Sequence, residues 1–352
     1  LHFNRTLEAS YGEPVRLSPR IIRLLAPNPG PFTFKGTGVH MVDTDSVAVI
    51  DPGPDLADHI TALKRAIGTR EVSHILVTHT HRDHSPAAAA LKQWSGARTY
   101  AAGAHGKAAG EVEEGADRDF TPDVVVPDGD VLRGDGFTLT CVATPGHTAN
   151  HICYALEEER ALFCGDHVMG WSTSVVAPPD GDMAAYLASL DKLIARGDTI
   201  LYPTHGSPIM QPQGWLRELL AHRRMRETQI LESLPSGDAG AIAQSLYPDI
   251  APALRRAAAA QVQAHLDHLA AKGVITALPG GRYMRSYFQN LSTNCFSSAM
   301  LKPLSMAPVR LCARTSARAP IGPRGLTRIT MSDTCPNQKL AAVASMRPSA
   351  SL

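Results

Sequence analysis

The densest concentration of reactive side chains is Thr78-His79-Thr80-His81-Arg82-Asp83-His84, which sets three imidazoles and a carboxylate within six positions at the end of the apolar run 73–78. Neutral imidazole nitrogens and carboxylate oxygens are the donor set of zinc and similar divalent cations. His79 and His81, two apart, can aim the same way from an extended segment, whereas Asp83 and His84 fall on the following turn and can address a second cation close by. A reactive centre needs partners from elsewhere in the chain. Three later segments offer them, each at the end of an apolar run: Thr144-Pro145-Gly146-His147, Phe163-Cys164-Gly165-Asp166 and Tyr202-Pro203-Thr204-His205-Gly206. The glycine in each lets the backbone bend sharply enough to present a ligand. Of the remaining histidines, His151 and His167 adjoin these candidates and read as supporting residues. His74, His105, His222, His265 and His268 have no partner pattern and read as packed or solvated. Cys141, Cys153 and Cys164 fall in apolar strand patterns and read as buried small hydrophobes.

Strands interleaved with helices must hold these groups, because residues 1 to about 210 alternate short β-branched runs with Ala/Leu-rich stretches. The class is α/β. Strands are expected at 46–50, 73–78, 138–143, 151–156, 161–164 and 199–202, with helices at 56–67 and 183–195. The first helix carries Leu56, Ile60, Leu63 and Ile67 on one face. A long helix over 214–234 has an apolar stripe of Leu216, Leu219, Leu220, Met225, Ile230, Leu231 and Leu234 opposite a face with Arg217, Arg223, Arg224 and Arg226. It stops at Pro235-Ser236-Gly237. Helices at 239–246 and 257–271 follow, then a hairpin through 272–275 and 280–283, which is the winged-helix order. From Ser286 the chain loses apolar periodicity and is rich in Ser, Pro, Arg and Thr, so a disordered basic tail is expected. The division is therefore 1–212, 213–285 and 286–352.

Of the 352 residues 44% are hydrophobic and 19% charged, which supports packed cores and excludes wholesale disorder. The net charge of +1 provides no global field for nucleic acid or an anionic membrane. It conceals an asymmetry, since the stretch from Ser286 has eight basic residues against one acidic residue, or +7, leaving −6 for the rest. The six cysteines show no CxxC and no dense framework, three of them (Cys295, Cys312 and Cys335) lying in the tail, so a reducing compartment fits. Charged residues punctuate the first twenty positions, and no run of about 18 apolar residues occurs. A cytoplasmic protein with no signal peptide and no membrane contact is expected.

HTHRDH followed by PGH, GD and THG resembles the metallo-beta-lactamase fold superfamily of binuclear metal hydrolases, whose pattern is HxHxDH, then His, Asp and His, over roughly residues 20–210. The resemblance implies an αββα sandwich holding two divalent metal ions, Zn2+ foremost. It places His79, His81 and His147 on one ion, Asp83, His84 and His205 on the other, and Asp166 between them. A bridging hydroxide would attack the substrate, with Asp83 orienting or deprotonating the nucleophile and passing a proton to the leaving group. Asp51 reads equally as a turn residue before Pro52 and as a carboxylate that fixes a ligand imidazole by accepting its other N–H. An aspartate at 166, where true beta-lactamases usually have Cys or Ser, is typical of the glyoxalase II, lactonase, phosphodiesterase and ribonuclease branches.

Asn28-Pro29-Gly30-Pro31-Phe32-Thr33 and His222-Arg223-Arg224-Met225-Arg226-Glu227-Thr228-Gln229-Ile230-Leu231 are similar to the beta-lactamase-like subgroup with a C-terminal winged helix, which includes a eukaryotic endoribonuclease. Gly36-Thr37-Gly38-Val39-His40 departs from the GTNTY of that subgroup, so a different specificity is expected if the missing Asn and Tyr position substrate. The expected reaction is hydrolysis of an ester, thioester, lactone or phosphodiester. Partners would be a small-molecule ester, thioester or lactone, or RNA, and the chain could pair as a homodimer. Acylhomoserine lactonase, endoribonuclease and beta-lactamase are specific alternatives, and a glutathione thioesterase is disfavoured for want of a basic C-terminal helical domain. A non-enzymatic nucleic-acid-binding regulator with a structural metal site is the rival class. It is weakened because a structural zinc needs four closed ligands, not seven. The segment 257–271 offers Gln261, Gln263, His265, Asp267 and His268 but no Lys or Arg, which favours packing on the catalytic core over gripping a phosphate backbone.

Overall fold

The computed structural model describes residues 1–8, 10–106, 115–234 and 237–286. The expected basic tail beyond Ser286, with Cys295, Cys312 and Cys335, and the Pro235-Ser236 stop lie outside the described residues. Strands β1 (Pro14–Arg16), β2 (Ile21–Leu25), β3 (Gly38–Asp43) and β4 (Val47–Ile50) form an antiparallel meander. After helix α1 (Ala57–Ile67) comes β5 (Val72–Leu76), and after helix α2 (Ala87–Ser95) come β6 (Arg98–Ala101) and β7 (Val124–Val125). These strands extend the sheet in parallel, giving the order β1 to β7. Parallel neighbours cannot be joined by tight turns, and α1 and α2 are the crossovers that β4–β5 and β5–β6 require.

A second sheet contains β8 (Val131–Gly134), β9 (Phe137–Ala143), β10 (Ile152–Leu156) and β11 (Ala161–Gly165). Helix α3 (Met183–Ala195) crosses over to β12 (Ile200–Pro203), which is parallel to β11, and β13 (Ile209–Met210) closes the edge. The two sheets face each other across Ile21, Val42, Ile50 and Leu76 on one side and Leu139, Cys141, Tyr154 and Phe163 on the other. On the outer face of the first sheet Leu63 and Ile67 of α1 and Leu91 of α2 meet Leu24, Met41 and Val49. On the second, Tyr186 and Leu190 of α3 and Leu216 and Leu219 of α4 (Gln213–Glu232) meet Cys153, Leu162 and Cys164. Strands covered on both faces carry no alternation, which is why β2, β4, β10 and β11 are continuous buried runs. The result is a helix-sheet-sheet-helix sandwich.

Helix α5 (Ala239–Leu246), a 3-10 turn at Pro252–Leu254, α6 (Arg255–Ala271) and the hairpin β14 (Ile275–Leu278) and β15 (Arg282–Arg285) make the winged helix. Asp238 caps α5 by accepting from the Ala241 N–H, a contact worth about 1 kcal/mol. Ile242, Val262, Leu266, Leu269 and Tyr283 form its core with Ile230 of α4, and α6 also packs on α3.

Three expectations change. Leu56 lies before α1 rather than within it and is 38% exposed. Met225, placed in the apolar stripe, is 46% exposed, while Arg223, placed on the charged face, is fully buried. The reason is that α4 touches both α3 and α6, so two sides of it are covered and a single stripe does not describe it. The third helix of the winged-helix order begins at Arg255, so its first turn carries two arginines. Among the described residues no helix is long and apolar enough to cross a membrane.

Candidate metal centre

The centre is assembled at the ends of β4, β5, β9, β11 and β12, and Asp51 holds three of these together. Leaving β4 in the left-handed region (φ 51°), it turns a buried carboxylate toward the exits of β5 and β12. Oδ1 accepts from the Thr78 N–H at 2.8 Å, and Oδ2 accepts from Thr78 Oγ1 at 2.8 Å, Thr204 Oγ1 at 2.7 Å and His84 Nδ1 at 3.0 Å. Burial works to raise its pKa, but the His84 ring and these donors prevail and hold it below the usual carboxylate value. Of the two roles open to Asp51, the geometry gives it both: it is a turn residue and it orients His84.

The hydrogen-bond partners decide which nitrogen each imidazole presents. The Thr78 hydroxyl donates to Asp51, so it accepts from His79 Nδ1 at 3.1 Å and leaves His79 Nε2 facing inward. His147 Nδ1 donates to the Val175 carbonyl at 2.5 Å, His205 Nδ1 to the Gly36 carbonyl at 3.1 Å, and His84 Nδ1 to Asp51. Four histidines thereby turn Nε2 to the centre, and His81 turns Nδ1, 3.0 Å from His79 Nε2 and 3.2 Å from His147 Nε2. Asp83 Oδ2 lies 3.0 Å from His205 Nε2 and 3.3 Å from His84 Nε2. Asp166 Oδ2 faces both halves, 3.4 Å from His205 Nε2, 3.6 Å from His84 Nε2 and 4.0 Å from His147 Nε2. Donor atoms of His79, His81 and His147 thus lie within 4.8 Å of one another, as do those of Asp83, His84 and His205 and those of His79, His84 and Asp166.

Burial and the neighbouring rings hold His79 well below its ordinary pKa, and burial with the adjacent His81 takes His147 down to about 4. Burial opposes a charge on His84 and His205 as well, yet the carboxylates beside them win. Asp83, Asp166 and Asp51 raise His84 well above 6.5, and Asp166 with Asp83 raises His205 to about 10. The carboxylates of Asp83 and Asp166 are correspondingly held ionised against burial by His84 and His205. A buried site that draws positive charge to the Nε2 atoms of His84 and His205, with Asp166 Oδ1 and both of these nitrogens lacking a hydrogen-bond partner, fits divalent cations.

All seven sequence candidates are brought together. His151 and His167 are buried beside the centre but outside its donor groups. His151 Nδ1 meets Thr144 Oγ1 at 2.8 Å, and His167 is held at about 3 by burial, packed on Tyr186. His74 sits between Tyr100 and Phe137, His105 meets Thr80 Oγ1, and His265 and His268 face Glu227. The three body cysteines are buried free thiols whose pKa is pushed up by burial, Cys141 and Cys153 to about 12. Val39 and His40, in the departure from GTNTY, point into the interior, His40 between Phe163 and Tyr202. Sequence reasoning missed Thr78, Thr204 and Ser174. The first two precede His79 and His205 directly, and a hydroxyl next to a ligand-type residue is the signal that could have found them. Gly146 allows β9 to turn into His147: with φ at 141°, a Cβ there would lie 2.3 Å from the Tyr186 Cα. Beside His205 in the chain stands an aromatic pair. Phe34 stacks on Trp171 at 4.9 Å, and Trp171 lies against Gly206.

A sandwich of this form with a His/Asp cluster at its strand ends defines a class of hydrolases. The metallo-beta-lactamase superfamily model matches residues 39–205, and the beta-lactamase associated winged helix domain matches 239–281. The chain belongs to the metallo-beta-lactamase superfamily and is a hydrolase of that family. It is 33% identical over 278 residues to a beta-lactamase-like protein 2 homolog of Caenorhabditis elegans, covering 75% of this chain and 88% of that one. It is 35% identical over 226 residues to the atrochrysone carboxyl ACP thioesterase dmxR1 of Cryptosporiopsis sp. (strain 8999), covering 62% of this chain and 64% of the relative, so it spans less than two thirds of that protein's length. A metallo-beta-lactamase family protein from Thermus thermophilus matches with a TM-score of 0.64 at 27% identity, over 77% of this chain and all of that one.

Proposed function

We propose that the chain is a binuclear, zinc-dependent hydrolase of acyl thioesters. The observation that carries this reading is the convergence of seven donor side chains, four of them imidazoles held through Nδ1 with Nε2 turned inward. His79, His81 and His147 would hold one cation and Asp83, His84 and His205 the other, with Asp166 Oδ2 serving both; imidazole with carboxylate suits zinc. Bound there, the cations supply the positive charge that acidifies water and polarises the scissile carbonyl. The protein's own groups do the rest. Asp83 is the ligand-type carboxylate that reaches solvent, 25% exposed against 10% for Asp166, so it accepts the proton of the attacking water and returns it to the leaving sulfur. Thr78, Asp51, Val175 and Gly36 hold the Nδ1–H of their histidines and so keep every Nε2 available.

Acyl rather than phosphoryl chemistry is supported by the stacked Phe34–Trp171 pair beside His205, an apolar wall suited to an acyl chain. It is also supported by the 35% identical relative named as an acyl carrier thioesterase. Gln261 and His265 of the winged helix are buried inside the protein and Gln263 is engaged with Tyr283, so these side chains give no support to an RNA substrate. The test is a panel of an acyl thioester, an acylhomoserine lactone, a chromogenic phosphodiester, a cephalosporin and single-stranded RNA. The thioester should be cleaved fastest, with loss on chelation and recovery on adding zinc. Faster cleavage of the phosphodiester or the RNA overturns the acyl assignment.

A further inference from the structure

The motif His222-Arg223-Arg224-Met225-Arg226-Glu227 takes no part in the proposed chemistry, yet it contains the largest fully buried side chain among the described residues, Arg223. No described carboxylate pairs with it. Its guanidinium lies over the Tyr186 ring at 4.8 Å, and Nη2 donates to the Ser174 carbonyl at 2.6 Å. A cation buried among neutral groups is costly, and an apolar side chain would fill the same space at less expense. What the arginine adds is a directed hold on residue 174.

That residue sits where two ligand-type side chains meet. The Ser174 hydroxyl donates to the carbonyls of Asp166 at 2.5 Å and His167 at 2.9 Å. The next carbonyl, that of Val175, accepts from His147 Nδ1 at 2.5 Å and thereby sets which nitrogen His147 presents. Tyr186, under the guanidinium, donates its hydroxyl to the His167 carbonyl at 3.0 Å. On the other side stands Gln261 of α6, whose amide, oriented to match its neighbours, accepts from Arg223 Nη1 and donates to the Ser174 carbonyl at 3.3 Å. The rest of the motif docks the same domain: Arg226 lies over the Tyr247 ring at 4.5 Å, and Glu227 meets His265 at 3.6 Å and His268 at 3.5 Å.

We propose that Arg223 is a positioning residue that couples the docked winged helix to the metal centre, fixing through Ser174 and Val175 the loop that orients Asp166 and His147. This rests on the reading of those two residues as metal ligands. The winged helix then acts as a brace for the catalytic loop.

The experiment compares full-length wild type with Arg223→Met, Arg223→Lys and Gln261→Met. Three properties are read: zinc affinity by chelator competition, the absorption spectrum of the cobalt-loaded protein, and kcat and KM separately. Arg223→Met should lower zinc affinity about 10- to 100-fold, the scale on which groups that orient metal ligands act. It should also change the cobalt spectrum and lower kcat with KM little altered. Arg223→Lys should recover part of each effect, because an ammonium can still donate to the Ser174 carbonyl. Gln261→Met should shift all three in the same direction to a smaller extent, and it carries the test if Arg223→Met does not fold. Folded variants with wild-type zinc affinity and an unchanged cobalt spectrum overturn the proposal. Failure of the wild type itself to bind zinc or cobalt would instead strike the metal reading on which it rests.

Discussion

Replacing Asp51 by asparagine changes one buried oxygen to an amide nitrogen at the point where three strand ends meet. The remaining oxygen still accepts from the Thr78 N–H, but the new NH2 confronts Thr78 Oγ1, Thr204 Oγ1 and His84 Nδ1. The two hydroxyls can rotate to accept. The His84 ring has no such freedom, because it must give up the Nδ1 proton and carry it on Nε2, the atom that faces Asp83 and Asp166. Losing the charged hydrogen bond to His84 costs about 1.5–3 kcal/mol. Presenting the wrong nitrogen should weaken metal binding about 10- to 100-fold, equivalent to roughly 1.4–2.7 kcal/mol. Urea unfolding of the metal-free protein measures the first quantity and chelator competition the second. An Asp51→Asn protein that binds zinc as tightly as wild type would refute the argument that Asp51 sets the His84 tautomer.

Other perturbations separate the ligands, the turn into His147, the aromatic pair and a surface ion pair. His79→Ala combined with His81→Ala should abolish both metal binding and turnover, and retained activity in that variant would contradict the ligand assignment. Gly146→Ala places a Cβ 2.3 Å from the Tyr186 Cα at a φ of 141°, so a loss of roughly 2–4 kcal/mol in urea unfolding is expected; a neutral result would show that the turn into His147 is pliable. Trp171→Ala should raise KM for long-chain thioesters while leaving zinc content unchanged, and equal KM values would remove the aromatic pair from substrate binding. Asp123, held at about 2 by Lys92 and the Thr99 N–H, has a folded pKa below its ordinary 3.8. Its contribution is therefore present above about pH 4 and lost as pH falls toward 2. The urea-midpoint gap between wild type and Asp123→Asn should narrow over that range, and a constant gap would argue against the pairing.

The site was legible in the amino-acid sequence because its donors cluster at strand exits: His79 to His84 in one run, and His147, Asp166 and His205 each in a glycine turn after an apolar strand. Pattern alone finds β4, β5, β9, β10, β11 and β12, whereas β2 and β3, equally buried, and β6 and β8 are passed over. β1, β7 and β13 are only three, two and two residues long, which is too short for periodicity to register. α2 begins Ala87-Ala88-Ala89-Ala90, where small side chains give little contrast between faces. Arg223 was placed on the wrong side of α4 because one-faced amphipathicity assumes a single buried stripe, and this helix is covered by α3 and α6 at once. The carbonyls of Gly36, Val175 and Ser174 could not be read at all, since a backbone oxygen has no residue signature and its role depends on where the loop is folded.

In the proposed centre two cations share the seven side chains. Diffraction from zinc-loaded crystals, with data collected on either side of the zinc absorption edge, tests it most directly. Two anomalous peaks are predicted, one among His79, His81 and His147 and one among Asp83, His84 and His205, with Asp166 next to both. A single peak enclosed by four ligands, or none within reach of these residues, would contradict it.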